Sequence, residues 1–272
     1  MNTTAIAAAE QALAAGDPAA ALKLLQDRIR AAPSDARLRV FLFQLLCVLG
    51  QWERALNQLS VAGELDASTL AMVQTYREAI QCERLRAEVF EGKRVPLLFG
   101  QPEAWVALLI EAGLREGRGE ADAARRLREQ ALEQAPPTAG SADGKPFQWI
   151  ADADMRLGPV LEAVINGRYY WLPFQHLARI EIEAPADLRD VVWTPAHFQF
   201  SNGGESVGLI PTRYAGTDLA NAALALARRT EWNEPAPGFF VGQGQRLLAT
   251  DQGDLALMDL RAIELNTEAA AA

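Results

Sequence analysis

In the first half of the chain, apolar and polar positions alternate with the three-to-four-residue period of amphipathic helices, and the pattern itself recurs. Leu13-Ala-Ala-Gly16-Asp17-Pro-Ala-Ala-Ala21-Leu22-Lys-Leu-Leu25 sets its Gly, Ala and Leu positions in register with Cys47-Val-Leu-Gly50-Gln51-Trp-Glu-Arg-Ala55-Leu56-Asn-Gln-Leu59, 34 residues further on. A glycine free to take positive φ ends one helix, a small alanine lets the next helix pack closely, and Pro33 stops the first pair. A third pair is predicted from Gln101-Pro-Glu-Ala-Trp105 to Gly117 and Gly119, then from Ala121 to Gln134. Between them, Leu70, Val73, Tyr76, Ile80, Leu85 and Val89 make a long apolar stripe that stops at Gly92, before Pro96.

The recurrence is that of tetratricopeptide-like helix hairpins, although the usual early Trp and Tyr are missing from both copies. Trp52 and Trp105 sit where large aromatics fill the space between helices, so both are expected in the core.

Past Pro137 the period changes. Residues 136–146 concentrate Pro136, Pro137, Gly140, Ser141, Asp143, Gly144 and Pro146, the composition of a linker. Thirteen of the 20 aromatic residues follow it, in short β-branched or aromatic runs broken by turn residues, the signature of antiparallel strands. The clearest is a hairpin over 160–165 and 168–172 joined by Asn166-Gly167, because a type I′ turn needs positive φ at both central positions. Further strands are predicted over 178–183, 191–193, 198–200, 207–211, 239–241, 246–249 and 255–263, with a helix over 217–229 capped at Thr217-Asp218. The chain therefore reads as α+β: a helical repeat domain over 1–135, a linker over 136–146, and a β-rich domain over 147–272.

With 35 Asp and Glu against 26 Lys and Arg in 272 residues, the formal charge is −9. The excess lies after Pro137, where 10 basic residues face 17 acidic ones, against 16 and 18 before it. Such a surface repels phosphate backbones and anionic headgroups, so neither nucleic acid nor membrane insertion is expected. Residues 1–11 hold no Lys, Arg or hydrophobic run, which is not the composition of a secretory signal and points to the cytoplasm. Cys47 and Cys82 each fall in a predicted helix and read as buried small hydrophobes, so disulfides and zinc are not expected.

Gly204-Glu-Ser206-Val-Gly208 has the form of a nucleophile elbow, but Ser206 follows an Asn-Gly-Gly turn and leads into a strand. Both histidines, His176 and His197, precede it, against the order the motif requires. Asp143, Asp152 and Asp154 lack the Gly and the twelfth-position Glu of a calcium loop, and Asp152 and Asp154 read as partners of Arg156, Arg168 or Arg189. Gly242-Gln-Gly244-Gln-Arg-Leu lacks the third Gly and the helix of a dinucleotide fingerprint. No cofactor, metal or catalytic residue is assigned; the competing reading is an enzyme using Asp152, Asp154 or a histidine as acid or base.

Several strings in the second half resemble the TagJ/ImpE (SciE-type) family: Asp152-Ala-Asp154-Met-Arg156-Leu-Gly158-Pro159, Asn166-Gly167-Arg168-Tyr169-Tyr170-Trp171, Asp187-Leu-Arg189-Asp190-Val-Val-Trp193, Leu209-Ile-Pro211-Thr212-Arg213-Tyr214 and Gly244-Gln245-Arg246. Ala215 and Gln252 depart from that pattern. The resemblance implies a non-enzymatic accessory protein of bacterial type VI secretion, binding the N-terminal segment of the small subunit of the contractile sheath.

In stacked helix hairpins the first helix of each pair lines the concave face, which suits a peptide or a single amphipathic helix. Counting along the repeat places Arg37, Val40, Gln44, Cys47 and Val48 on that face, with Ile6 and Leu13 from the first repeat. The competing reading is core packing for Val40, Cys47 and Val48 and solvated surface for Arg37 and Gln44. The acidic surface of the β-rich domain is a second candidate, and it predicts a basic partner and salt-sensitive binding.

Overall fold

A computed structural model of the chain describes residues 2–100 and 103–267, and side chains from residue 6 onward. Gln101 and Pro102, where the predicted third pair opens, lie outside the described residues.

The helical half comprises α1 (Asn2–Ala14), α2 (Pro18–Ala31), α3 (Ala36–Val48), α4 (Trp52–Leu65), α5 (Leu70–Phe90), α6 (Ala104–Gly117) and α7 (Ala121–Gln134). The repeat visible in the sequence is also a repeat of caps. Gly16 at φ 82° and Gly50 at φ 66° end α1 and α3 in the same way. The amides of Asp17 and Gln51 reach back to the carbonyls of Ala12 and Leu46, each at 2.8 Å, which closes a Schellman turn. Asp17 then caps α2 by accepting from the Ala20 amide at 2.8 Å, with Pro18 in the first turn, and Asp35 caps α3. Ala21 and Ala55 are fully buried where α2 and α4 turn back against their partners.

The β-rich half is organised around a nine-stranded sheet. Its strands are β1 (Leu97–Leu98), β2 (Gly140–Ala142), β3 (Lys145–Phe147), β5 (Val160–Ile165), β6 (Arg168–Pro173), β7 (Leu177–Ile182), β8 (Trp193–Phe200), β9 (Glu205–Pro211) and β14 (Ala262–Leu265), in the order β1-β6-β5-β9-β8-β7-β14-β2-β3. A three-stranded sheet, β13 (Gly253–Ala256), β12 (Leu247–Thr250) and β4 (Ile150–Asp152), and a hairpin of β10 (Thr230–Ala236) with β11 (Phe239–Gly244), complete it. Asn166 at φ 50° and Gly167 at φ 70° form the tip of β5–β6, the left-handed pair that a type I′ turn requires.

Strand β5 is buried on both faces, and its alternation divides two cores. Val160 and Val164 point into the core shared with the helices, while Leu161, Ala163 and Ile165 point into a second core enclosed by the sheets. Glu162 therefore faces the helical layer. The first core runs without interruption from Ala9 through α5 to Trp193, so helices and sheet are packed as neighbours, with Tyr76 of α5 against the Trp193 ring at 5.7 Å.

Several elements differ from the sequence expectation. Residues 136–146 carry β2 and β3, a hairpin that extends the sheet edge, because Asp143 and Gly144 supply the positive φ of its turn. Residues 191–193 and 198–200 do not form two strands: Leu188–Val191 is a 3-10 turn, and β8 runs unbroken from Trp193 through Pro195. The run 255–263 is split between β13 and β14 by the turn Leu257–Asp259.

The helix expected over 217–229 shrinks to α8 (Ala222–Ala225), capped by Asn221 and not by Thr217-Asp218. Tertiary bonds claim its first turn: the Thr217 hydroxyl donates to the Tyr214 carbonyl and accepts from the Gly244 amide, and the Asp218 amide donates to Gln243. Ala227 at φ 51° then turns the chain away.

Candidate partner-binding groove

Among the places where helices and β-rich half meet, one is a buried ion cluster and one is an open groove. At the buried junction, Arg86 of α5 donates to both Glu162 oxygens, Nε at 2.6 Å and Nη2 at 3.0 Å, and also to the Arg213 carbonyl at 2.8 Å. Arg246 pairs with the same Glu162 and with Asp152, and the Tyr169 hydroxyl donates to Glu162 at 2.5 Å. The side chains of Glu162, Asp152 and Arg246 are wholly buried. Burial raises Glu162, but the guanidiniums of Arg86 and Arg246 outweigh it and bring it down to about 2. For Asp152 burial wins over its single guanidinium, Arg246, and pushes it up to about 7.

Two further arginines tie the β-rich half to the repeats. Arg213 donates to the Val48 carbonyl at 2.7 Å and to the Cys47 carbonyl at 3.3 Å, at the end of α3, and also to Ala225 at 2.7 Å. Arg228 donates to Ala14 at 3.1 Å and Leu13 at 2.5 Å, at the end of α1. Those carbonyl pairs, 13 and 14 and then 47 and 48, stand 34 residues apart, so the same repeat position is capped twice by a cation at the negative end of a helix.

The open meeting is a groove of about 540 Å³ between α1, α3 and the turn that carries Asp187. Ile6 and Leu13 of α1 and Val40 and Phe41 of α3 give it an apolar floor, and Leu188 gives it an apolar wall. Glu10, Arg37, Asp66 and Asp187 add charge around this floor. The turn is held from within: the amides of Ala186 and Asp187 both donate to Asp190 Oδ2 at 2.8 Å. Arg189 pairs with Asp187 at 2.5 Å and stacks over Tyr76 of α5 at 4.7 Å. Gln44 lies at the foot of this wall, its Nε2 3.5 Å from Asp187 Oδ1.

Of the residues the repeat count assigns to a concave face, Ile6, Leu13, Arg37, Val40 and Gln44 line this groove. Cys47 and Val48 do not: both are fully buried in the shared core, turned inward by the last turn of α3, and their carbonyls are occupied by Arg213. Sequence reasoning missed the second wall, Ala186, Asp187 and Leu188. Its only sequence signal is an acidic start three residues before Asp190, the capping pattern of a helical turn.

The tempting chemical groups are dispersed. Asp154 is buried against Arg156 at 2.6 Å, while Asp152 pairs with Arg246, not with Arg156, Arg168 or Arg189. Ser206 lies inside β9, His176 contacts Glu103 at 3.4 Å, and His197 sits between Glu181 and Glu205 on the outer face of the sheet. Trp105 is buried as expected, and Trp52 is half-buried against Trp193. Among the described residues, no helix is long and apolar enough to cross a membrane.

This combination of repeats and β-rich domain has relatives. Residues 144–264 match the family described as ImpE protein, and residues 12–79 match the tetratricopeptide repeat. A Pseudomonas aeruginosa protein, the type VI secretion system accessory component TagJ, is 52% identical over 257 residues, 94% of this chain and 90% of that protein. The chain belongs to the TagJ/ImpE family. The crystal structure of a Vibrio parahaemolyticus protein superposes with a TM-score of 0.88 at 27% identity, over 96% of this chain and 98% of that one. The match with TagJ spans both halves of the chain, so in this family helical repeats and β-rich domain occur together.

Proposed function

We propose that this TagJ/ImpE-family chain is a cytoplasmic, non-enzymatic adaptor of a bacterial type VI secretion system, and that its groove receives the N-terminal segment of the small subunit of the contractile sheath. The observation that carries this reading is the groove itself: an apolar floor from two successive repeats that is left open to solvent. An amphipathic segment laid along α1 and α3 would cover Ile6, Leu13 and Val40 with its apolar side. Burying three or four of its apolar side chains at ~1.5–3 kcal/mol each, against at least ~4 kcal/mol lost on association, gives micromolar binding or weaker. That strength suits an adaptor at a multivalent sheath, where avidity adds to each contact. The non-enzymatic reading is supported by the way its carboxylates are used: Asp152, Asp154 and Glu162 are consumed in buried ion pairs.

The test is a titration of the full chain with a fluorescent peptide of that N-terminal segment. Wild-type binding that weakens more than tenfold in Val40→Asp, with the thermal midpoint retained, is the expected result. No binding by the wild type, or equal binding by the variant, removes the proposal.

A further inference from the structure

One amide in the groove is only weakly tied to the protein. Gln44 is 6% exposed, yet its only hydrogen bond is the 3.5 Å contact from Nε2 to Asp187, at the outer limit of such bonds. No donor among the described residues bonds to its Oε1. An amide oxygen that no protein donor occupies, at the foot of a groove, is free to accept from an incoming chain.

Beside it stands a carboxylate with capacity to spare. Asp187 Oδ2 is engaged by Arg189 and the carboxylate also faces the Asp190 amide in the capping box of its turn, while the side-chain donor nearest Oδ1 is Gln44 Nε2 at 3.5 Å; the side chain is 43% exposed. An ionised carboxylate accepts about four hydrogen bonds. The turn bearing it is pinned by Asp190 and by Arg189 stacked on Tyr76, so it is presented rigidly. Glu10 and Asp66 add negative charge to the lining, against the single guanidinium of Arg37.

From this arrangement we infer that Gln44 and Asp187 together form a cation-reading subsite, and that the segment bound in the groove carries an arginine which bridges them. A guanidinium fits because its planar fork can donate to the Gln44 amide oxygen and the Asp187 carboxylate at once, whereas an ammonium is a point charge without that geometry. Half of the subsite comes from the second repeat and half from the β-rich domain, 143 residues apart. Selectivity therefore depends on both halves of the molecule, while the apolar floor supplies contact area. This inference rests on the groove being the binding site, as proposed above.

The experiment uses the full chain and the same sheath-subunit peptide, at low and moderate ionic strength. Asp187→Asn is expected to bind roughly tenfold more weakly at low salt and to lose most of the salt dependence of the wild type. Gln44→Leu is expected to bind several-fold more weakly with its salt dependence unchanged. Among peptides in which each arginine in turn is replaced by Gln, one should lose the same affinity against the wild type and nothing further against Asp187→Asn. Thermal midpoints equal to the wild type separate recognition from folding.

If the wild type binds but neither variant nor any arginine replacement changes the affinity, the subsite is wrong and the groove stands. If the wild type does not bind the peptide, the groove reading falls and takes the subsite with it.

Discussion

The buried junction and the open groove join the same two halves of the molecule, but they treat charge in opposite ways. At the junction, Arg86 and Arg246 converge on Glu162 and Asp152 completes the cluster, with Arg246, Asp152 and Glu162 wholly buried. In the groove, Asp187 is half exposed and Gln44 keeps an open acceptor. A buried ion cluster is tolerated only when its members satisfy one another, which makes that contact permanent. Polar groups left partly unsatisfied at an opening favour whatever can complete them. The difference separates the contact that fixes the architecture from the surface available to another chain.

The sharpest way to break this contrast is Glu162→Gln, which keeps the shape and removes the charge shared by two guanidiniums. It should cost roughly 3–5 kcal/mol in denaturant unfolding, because a cation stays buried without its partner. A loss under about 1 kcal/mol would show the junction to be ordinary packing.

A second probe uses pH. Glu162, held at about 2, gives stability that is present above its ordinary value and is lost as pH falls through 2. Asp152, raised to about 7, works the other way: its contribution is present below its ordinary value and is lost as pH rises through 7. The stability deficit of Asp152→Asn relative to the wild type should therefore shrink by roughly 2–4 kcal/mol between pH 4 and pH 8. A constant deficit across that window would contradict the assignment.

The smallest effect compares two caps at one repeat position. Arg213 is buried, lowered to about 10 by that burial, and its partners are backbone carbonyls at helix ends. Replacing it by Met leaves those carbonyls without a donor and should cost about 2 kcal/mol. Arg228 is exposed, so the same replacement there should cost under about 1 kcal/mol once solvent screening is counted. Equal losses in thermal or chemical denaturation would mean that burial does not set the strength of these caps.

Local chemistry was legible in the sequence wherever a few neighbouring residues decide the conformation. Gly16 and Gly50 announced the helix ends, and Asn166-Gly167 announced a turn whose backbone sits where a type I′ turn requires. Five of the seven residues that counting along the repeat places on a concave face line the groove, because a helix face is fixed by its period. Cys47 and Val48 escaped that count because which face is solvent-facing in the last turn of α3 depends on what packs there, and Arg213 lies 165 residues from Val48 in sequence. The helix expected over 217–229 failed for the same kind of reason: Thr217 and Asp218 are good caps, but the β-rich domain binds them first.

What the sequence alone determined was the α+β class, the repeat, the family resemblance and the type of the Asn166-Gly167 turn, since these depend on periodicity and on the intrinsic preferences of single residues. The tertiary structure decided which carboxylate meets which guanidinium, where the helical face is covered, and that the wall of the groove comes from the other half of the chain. Those outcomes depend on pairs of residues 76 to 166 positions apart, whose meeting no local pattern encodes.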